Sequence, residues 1–213
     1  RIAVLDPLKL VIDNYPDEQE ELCEAPNHPQ KPELGKRPVP FARELWIERE
    51  DFVEVPPKGY FRLFPGNKVR LRYGFVVECT GCDKDASGNV VAVHCNYFPD
   101  SKSGTPGADT YKVKGNIHWV SARHAYAAEV RLYDRLFAVP NPGAERDFLD
   151  DINPDSVKAI SAQLEPSLKD AAAEDRLQFE RHGYFVADRV DSRPGAPVFN
   201  RAVTLKDSWA KAK

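Results

Sequence analysis

Apolar and polar residues alternate along many short segments of this chain, and such alternation is typical of β-strands with one buried face. The segments that show it are residues 2–5, 9–15, 42–47, 68–73, 74–79, 90–97, 115–121, 128–133, 156–164, 177–181, 184–188 and 197–205. Helical periodicity is limited to residues 49–53, the turn after Ser121, and residues 168–173. The pattern predicts an all-β fold, either a sandwich or a pair of barrels.

Two stretches near the start of the chain interrupt this alternation. Residues 17–24 are rich in acidic side chains, and residues 26–40 are rich in proline. Because such compositions disfavour regular secondary structure, both stretches are expected to be irregular surface connections.

Length and composition favour a folded body. The chain has 213 residues, of which 42% are hydrophobic and 30% charged, and this is enough for a core in one large or two small domains. No uninterrupted apolar run is long enough for a membrane span or a secretory leader, so we expect a cytoplasmic protein. The chain begins at Arg1 and lacks methionine, which favours a piece excised from a longer protein.

The charge is spread unevenly. A formal net charge of −3 excludes a global positive field that would attract any nucleic acid. Residues 55–77 nevertheless contain no acidic side chain, and cations and aromatic rings are interleaved there: Lys58, Arg62, Lys68, Arg70 and Arg72 with Tyr60, Phe61, Phe64, Tyr73 and Phe75. Cations beside rings suit single-stranded RNA, whose phosphates and unpaired bases they bind. An ordinary solvated strand face, with Arg70 and Arg72 on one side, would show the same spacing.

A weaker basic group, formed by Lys112, Lys114, His118 and Arg123, surrounds Trp119. The indole of Trp119 is expected in the core, because a large ring within a β-rich segment is usually buried.

A metal site is not predicted. Cys79 and Cys82 have zinc-like spacing, and His94 and Cys95 follow. However, His94 and Cys95 are neighbours on a predicted strand and point to opposite faces, which leaves at most three ligands. We expect reduced thiols instead, also at Cys23, in a reducing compartment.

No catalytic residue is predicted either. The carboxylates of Glu48, Glu50 and Asp51 lie among basic residues and are expected on a solvated surface. Ser121 and His124 are suitably spaced for a nucleophile and its base but show no acid to orient the base. The chain is therefore interpreted as a binding module.

Several strings occur in order along the chain: AVLDPLKLVI at 3–12, PNHP at 26–29, VKGNIHWVSA at 113–122, EVRLYDRLF at 129–137, EPSLKD at 165–170, QFER at 178–181, GYF at 183–185 and VFNR at 198–201. Together they resemble the C-terminal anticodon-binding region of bacterial glutaminyl-tRNA synthetases, from Arg1 to about residue 211. The resemblance implies two β-barrels of a type also found in a 5S-rRNA-binding ribosomal protein. Residues 1–8 with 117–213 would form the proximal barrel and residues 9–116 the distal barrel, with strands crossing between them.

The resemblance also implies which residues contact the anticodon loop of tRNA(Gln). Arg62 would recognise guanine at the third anticodon base, since a guanidinium can donate to two acceptors of guanine. Arg70 would serve the first base, and Gln178 and Arg181 the central uracil, whose edge an amide can match with both a donor and an acceptor. Arg181 could instead pair with Glu180 or contact the other barrel.

Three further positions qualify this assignment. The family has an arginine for the central base immediately before position 1, so Arg1 would at best replace it imperfectly. Arg72, close to Arg70 in the sequence, is the last of the residues predicted to contact the anticodon. Phe61 stands where the family has a lysine, so that one phosphate or base contact would be lost.

The implied parent enzyme would join glutamine to tRNA with ATP and Mg²⁺ in an N-terminal catalytic domain that this chain lacks. The chain alone would hold no cofactor and be inactive; its partners would be the anticodon loop and that catalytic domain, and it would be a monomer without a membrane partner. Two alternatives stay open. One is the anticodon-binding region of a glutamyl-tRNA synthetase, with cytosine as the preferred third base, and the other is a non-catalytic barrel protein that binds ribosomal RNA or another protein.

Overall fold

The computed structural model describes residues 1–205. Its strands are β1 (Ala3–Val4), β2 (Pro7–Ile12), β3 (Glu21–Pro26), β4 (Lys36–Phe41), β5 (Glu44–Glu48), β6 (Lys68–Leu71), β7 (Val76–Lys84), β8 (Val90–Tyr97), β9 (Gly115–Ile117), β10 (Trp119–Ser121), β11 (Tyr126–Tyr133), β12 (Val157–Leu164), β13 (Arg176–Phe179), β14 (Gly183–Ala187) and β15 (Phe199–Thr204). Helical residues within this range form short 3₁₀ turns at Pro32–Leu34, Arg49–Asp51, Pro99–Ser101, Ala108–Thr110, Phe148–Asp151 and Pro166–Leu168. The predicted all-β class is confirmed, and none of the described helices could cross a membrane.

Packing divides the chain into two compact units. The first contains Arg1–Tyr126 and Gln163–Pro166, and the second contains Ala127–Ala162 and the residues from Ser167 onward. The division into barrels expected at residues 8/9 and 116/117 stays a prediction. The last eight residues of the predicted proximal barrel, 206–213, lie outside the described residues.

The first unit contains a sheet with the strand order β10-β5-β2-β8-β7-β6-β9. Its two edge strands, β9 and β10, are consecutive in the chain and are separated only by His118, so the sheet nearly closes into a barrel. Residues 115–121 are therefore two strands rather than the single predicted one. At the end of β12, Leu164 pairs antiparallel with Ala3 of β1.

The interior of this barrel is aromatic. The Phe41 ring packs edge-to-face against Tyr15 and Trp119, with centroid distances of 5.1 and 5.2 Å, and tilted against Phe75 at 4.9 Å. Trp119 is fully buried, as predicted, and its indole N–H donates to the carbonyl of Arg72 at 2.9 Å. A buried indole is stabilised by such a bond, because its one donor would otherwise lose water without replacement.

The expectation of irregular structure at residues 17–24 and 26–40 is wrong for residues 21–24, 26 and 36–40, which lie in strands β3 and β4. Strands β3 and β4 pair antiparallel as a separate two-stranded sheet that buries the side chains of Cys23, Ala25, Val39 and Phe41. In β4 the buried residues alternate with Pro38 and Pro40. A strand in a two-stranded sheet has one unpaired edge and can therefore accommodate prolines, which donate no ladder hydrogen bond.

The second unit contains β12, β11, β15, β14 and β13 in that order across the sheet, which curves as a half-barrel. Strands β11 and β15 are parallel, whereas β13, β14 and β15 are antiparallel neighbours. The rings of Phe179 and Phe185 stack with centroids 4.2 Å apart, and Phe199 lies 5.3 Å from Phe179. This cluster anchors the hairpin formed by β13 and β14.

Candidate nucleic-acid interface

Arg62 lies in the ordered loop before β6, held by acidic residues. Its Nη1 is 2.9 Å from a carboxylate oxygen of Glu50 and 2.9 Å from one of Asp51. The Asp51 side chain is fully buried, whereas that of Arg62 is 37% exposed. Both ion pairs use Nη1 of Arg62. Its Nε and Nη2 make no hydrogen bond to the described residues and could donate to a ligand. The guanidinium is thus held at Nη1, and the side chain as a whole stays partly exposed.

Backbone contacts hold the loop around Arg62. The side-chain amide of Asn67 donates to the Arg62 carbonyl at 2.6 Å, and the N–H of Leu63 donates to the Asp51 carbonyl at 2.9 Å. The hydroxyl of Tyr60 donates to the Glu50 carbonyl at 3.1 Å. These bonds orient the loop before any ligand binds, which lowers the ordering cost of binding.

The expectation that Glu48, Glu50 and Asp51 form a solvated surface is wrong for two of them. Glu50 is exposed, but Glu48 and Asp51 are buried. The Glu48 carboxylate accepts the backbone N–H groups of Leu5 at 2.7 Å and Asp6 at 3.0 Å, with Nε2 of His118 at 3.3 Å. A buried carboxylate is costly without such hydrogen-bond partners. We therefore interpret the carboxylates of Glu48 and Asp51 as groups that stabilise the fold.

Phe61 and Lys114 meet beside Arg62, although the sequence assigns them to separate basic groups. Phe61 is 51% exposed, and Nζ of Lys114 lies over its ring, 5.0 Å from the centroid. The backbones approach closely here, because a Cβ at Gly115 would lie within 2.1 Å of the Phe61 carbonyl oxygen. The surface thus combines an exposed ring with cations. In the sequence, the only sign of this contact is Gly115, whose missing side chain permits the close backbone approach.

Arg70 projects from β6 into the loop at residues 98–110. Its Nη1 donates to the Ser101 carbonyl at 2.7 Å, and its Nη2 donates to the Ala108 carbonyl at 2.8 Å. Burial lowers the pKa of this guanidinium, an effect that Asp109 partly opposes. Both terminal nitrogens therefore bind backbone oxygens in this structure, and a base could reach them only by exchange with those bonds.

Arg72 does not share a strand face with Arg70, contrary to the prediction. Strand β6 ends at Leu71, and the chain then turns through Tyr73, which has φ +64°. The Arg72 guanidinium lies 5.5 Å from the Tyr73 ring centroid. The tight turn, which leads directly into Gly74, removes Arg72 from the strand.

Arg1 joins a network of buried charges in the first unit. Nη1 of Arg1 donates to the Asn27 side chain at 3.0 Å, and its Nε lies 3.8 Å from Glu165. Glu165 in turn accepts from Nε of Arg37 at 2.5 Å, from Nη2 of Arg37 at 2.8 Å and from the N–H of Ile2 at 2.8 Å. Burial and the nearby Arg37 charge lower the pKa of Arg1, while Glu165 opposes both.

Gln178 and Arg181 belong to the second unit. Gln178 is exposed on β13 opposite Tyr184, while the next side chain, Phe179, is buried, as the alternation predicts. The predicted strand is too long, however, because β13 ends at Phe179 and residues 180–182 form the hairpin loop. Arg181 occupies this loop with φ +71°, a conformation that strains non-glycine residues. The first unit thus holds Arg1, Arg62, Arg70 and Arg72, and the second holds Gln178 and Arg181.

The cysteines are free thiols in this structure. Cys79 and Cys95 are opposite one another on β7 and β8, and burial raises the pKa of Cys95. The opposite orientation predicted for His94 is confirmed, since its ring nitrogens lie 2.9 Å from Asp13 and 2.9 Å from Asp83 while Cys95 is buried.

Ser121 and His124 have the acidic neighbour that the sequence did not reveal. Oγ of Ser121 lies 3.0 Å from Nδ1 of His124, whose Nε2 lies 3.3 Å from Glu20. The expectation that no acid orients this histidine is therefore wrong. Ser121 is nevertheless 3% exposed, so a substrate could not reach its hydroxyl, and the three residues form a structural hydrogen-bond chain.

Comparison with known proteins gives a consistent result along the chain. Residues 1–98 and residues 116–188 each match a family model described as tRNA synthetases class I (E and Q), anti-codon binding domain. Proteins named glutamine–tRNA ligase are similar over 99% of the chain: the identity is 72% for Cupriavidus metallidurans, 74% for Cupriavidus taiwanensis and 71% for Ralstonia pickettii. The chain spans 36–37% of the length of these relatives.

Proposed function

The chain belongs to the anticodon-binding domains of class I (E and Q) tRNA synthetases, and from this membership we propose that it binds the anticodon loop of a glutamine tRNA as part of a glutamine–tRNA ligase. Relatives of that name align with nearly the whole chain. In this proposal the rest of the enzyme attaches glutamine to the tRNA, with ATP and Mg²⁺. The enzyme acts in the cytoplasm as a monomer, and its catalytic part contacts this chain.

The geometry of Arg62 is the observation that best supports the proposal. Asp51 and Glu50 both bind Nη1 of a side chain that lies in an ordered loop and is 37% exposed. Guanine presents N7 and O6 as adjacent acceptors, and a guanidinium with two free donors matches them. We therefore assign the third anticodon base to Arg62.

The other assignments rest on placement within each unit. Gln178, exposed and anchored by Phe179, is suited to the central base, and Arg181 at the neighbouring hairpin tip accompanies it. Arg70 and Arg72 serve the first base, for which Arg70 must exchange its bonds to the loop carbonyls. Arg1 is at best an imperfect substitute for the family's central-base arginine, since its guanidinium binds Asn27 and lies near Glu165.

The test of this proposal compares charging of glutamine tRNAs with different third anticodon bases by the full-length enzyme. R62K retains a cation for Asp51 but loses the two-donor edge. It should lower kcat/KM for the guanine tRNA by a factor that corresponds to about 1–3 kcal/mol of lost transition-state stabilisation, and it should narrow the preference for guanine. The control is K58A, which removes an exposed cation from the same loop and should leave that preference unchanged.

Three results would count against the assignment or the proposal. An equal loss for every third base would make Arg62 a phosphate contact. A wild-type preference for cytosine would favour a glutamyl-tRNA synthetase. A wild-type enzyme that charges no glutamine tRNA would overturn the proposed function itself.

A further inference from the structure

We propose that Phe61 and Lys114 form a binding subsite for one unpaired base of the RNA loop, in which the base stacks on the ring and Lys114 binds an adjoining phosphate. The inference rests on the proposed function, because it requires an RNA loop near Arg62. It assigns a separate contact, in which the face of a base is bound rather than its hydrogen-bonding edge.

The exposure of Phe61 is the first observation. Phe61 as a residue is 51% exposed, although the loop that carries it is ordered by hydrogen bonds from Tyr60 and Asn67. The ring is therefore presented by a fixed backbone. Stacking on a base would remove this apolar surface from water without reorganising the loop.

The position of Lys114 is the second observation. Its ammonium lies 5.0 Å from the ring centroid, and the close backbone approach at Gly115 fixes the two segments against each other. A cation beside an exposed ring offers a partner for phosphate and a partner for a base at once. Lys58 and Lys112 are exposed nearby in sequence, and residues 55–77 contain no acidic side chain.

The combination favours an unpaired nucleotide over a protein segment. A purely apolar partner would have to desolvate Lys114, whereas a nucleotide pairs its phosphate with that cation and its base with the ring. Every base has a π face, so the subsite should contribute affinity with little dependence on base identity.

Binding of anticodon stem-loop RNAs to the chain tests the subsite. The RNAs carry a single abasic nucleotide at successive loop positions, and the proteins are wild type, F61A and F61W. We expect F61A to bind the intact stem-loop about 5- to 150-fold more weakly. F61W should retain the wild-type affinity. At one abasic position, wild type and F61A should bind equally, because the stacking partner is already missing.

A spectroscopic measurement and a matched lysine pair complete the test. The base analogue 2-aminopurine at that position should lose fluorescence on binding wild type but not F61A. K114A should reduce the salt dependence of binding by about one phosphate contact, whereas K112A should not.

The outcomes distinguish the subsite from the proposed function. If wild type binds the stem-loop but F61A binds equally well, or loses the same factor at every abasic position, the subsite is wrong and the proposed function stands. If wild type does not bind the stem-loop at all, the proposed function fails for this chain, and the subsite fails with it.

Discussion

Replacing Glu165 by glutamine should strongly destabilise the first unit. Glu165 and Arg37 form a two-bond ion pair, and their side chains are only 2% and 7% exposed. In E165Q the negative charge is lost, while the Arg37 guanidinium remains buried. The amide can accept at one atom only, so the bonds from Arg37 and from the N–H of Ile2 cannot all be kept.

The size of the effect follows from this burial. Breaking a buried ion pair by altering one partner costs about 3–5 kcal/mol, because an uncompensated charge remains inside. Solvent screening offers little relief at this depth. For a chain of this length about 1 kcal/mol shifts the unfolding midpoint by about 2–4 °C, so the midpoint should fall by about 6–20 °C.

Thermal and urea unfolding, followed by circular dichroism, measure this prediction. The control is E44Q, which alters an ion pair with Lys9 at 3.1 Å whose side chains are 51% and 35% exposed. Exposed pairs contribute about 0–1 kcal/mol, so E44Q should be nearly neutral. If E165Q were no more destabilising than E44Q, the buried network would not stabilise the fold as we infer.

Two further predictions concern pH and loop order. Hydrogen bonds to Asp13 and then Asp83 raise the pKa of His94 above 6.5, so the resulting stabilisation is fully present below about pH 6.5 and disappears as the pH rises through the raised pKa. The urea midpoints of wild type and H94N should therefore converge as the pH rises above 6.5, and a constant gap would exclude titration of His94. R70M should speed tryptic cleavage after Lys102 at least about tenfold, because each hydrogen bond that Arg70 donates to the loop contributes about 1 kcal/mol. An unchanged cleavage rate would show that Arg70 does not hold the loop.

Alternation along the chain predicts most of the fold, and the failures have a common physical origin. Strands β3 and β4 were missed because their composition suggests loops, although Cys23, Val39 and Phe41 alternate with polar residues and prolines. A two-stranded sheet tolerates prolines, and this tolerance depends on a pairing partner that composition does not reveal.

The site was less predictable, because its geometry depends on contacts between distant parts of the sequence. The cation and ring content of residues 55–77 suggests RNA binding, but it does not reveal that Arg70 binds loop carbonyls. Nor does it show that Lys114 meets Phe61. The acid beside His124 is Glu20, which precedes it by about a hundred positions and shares no motif with it.

The seam of the first barrel at His118 also bears on strand pairing at the two edges of that sheet. The free edges of a sheet expose backbone N–H and C=O groups that can pair with strands of other molecules and start aggregation. Here the outermost strands, β9 and β10, are three residues each, and one buried residue joins them covalently. A strand from another molecule would find too short a template on either side, so the connectivity that nearly closes the barrel also limits intermolecular pairing at these two edges.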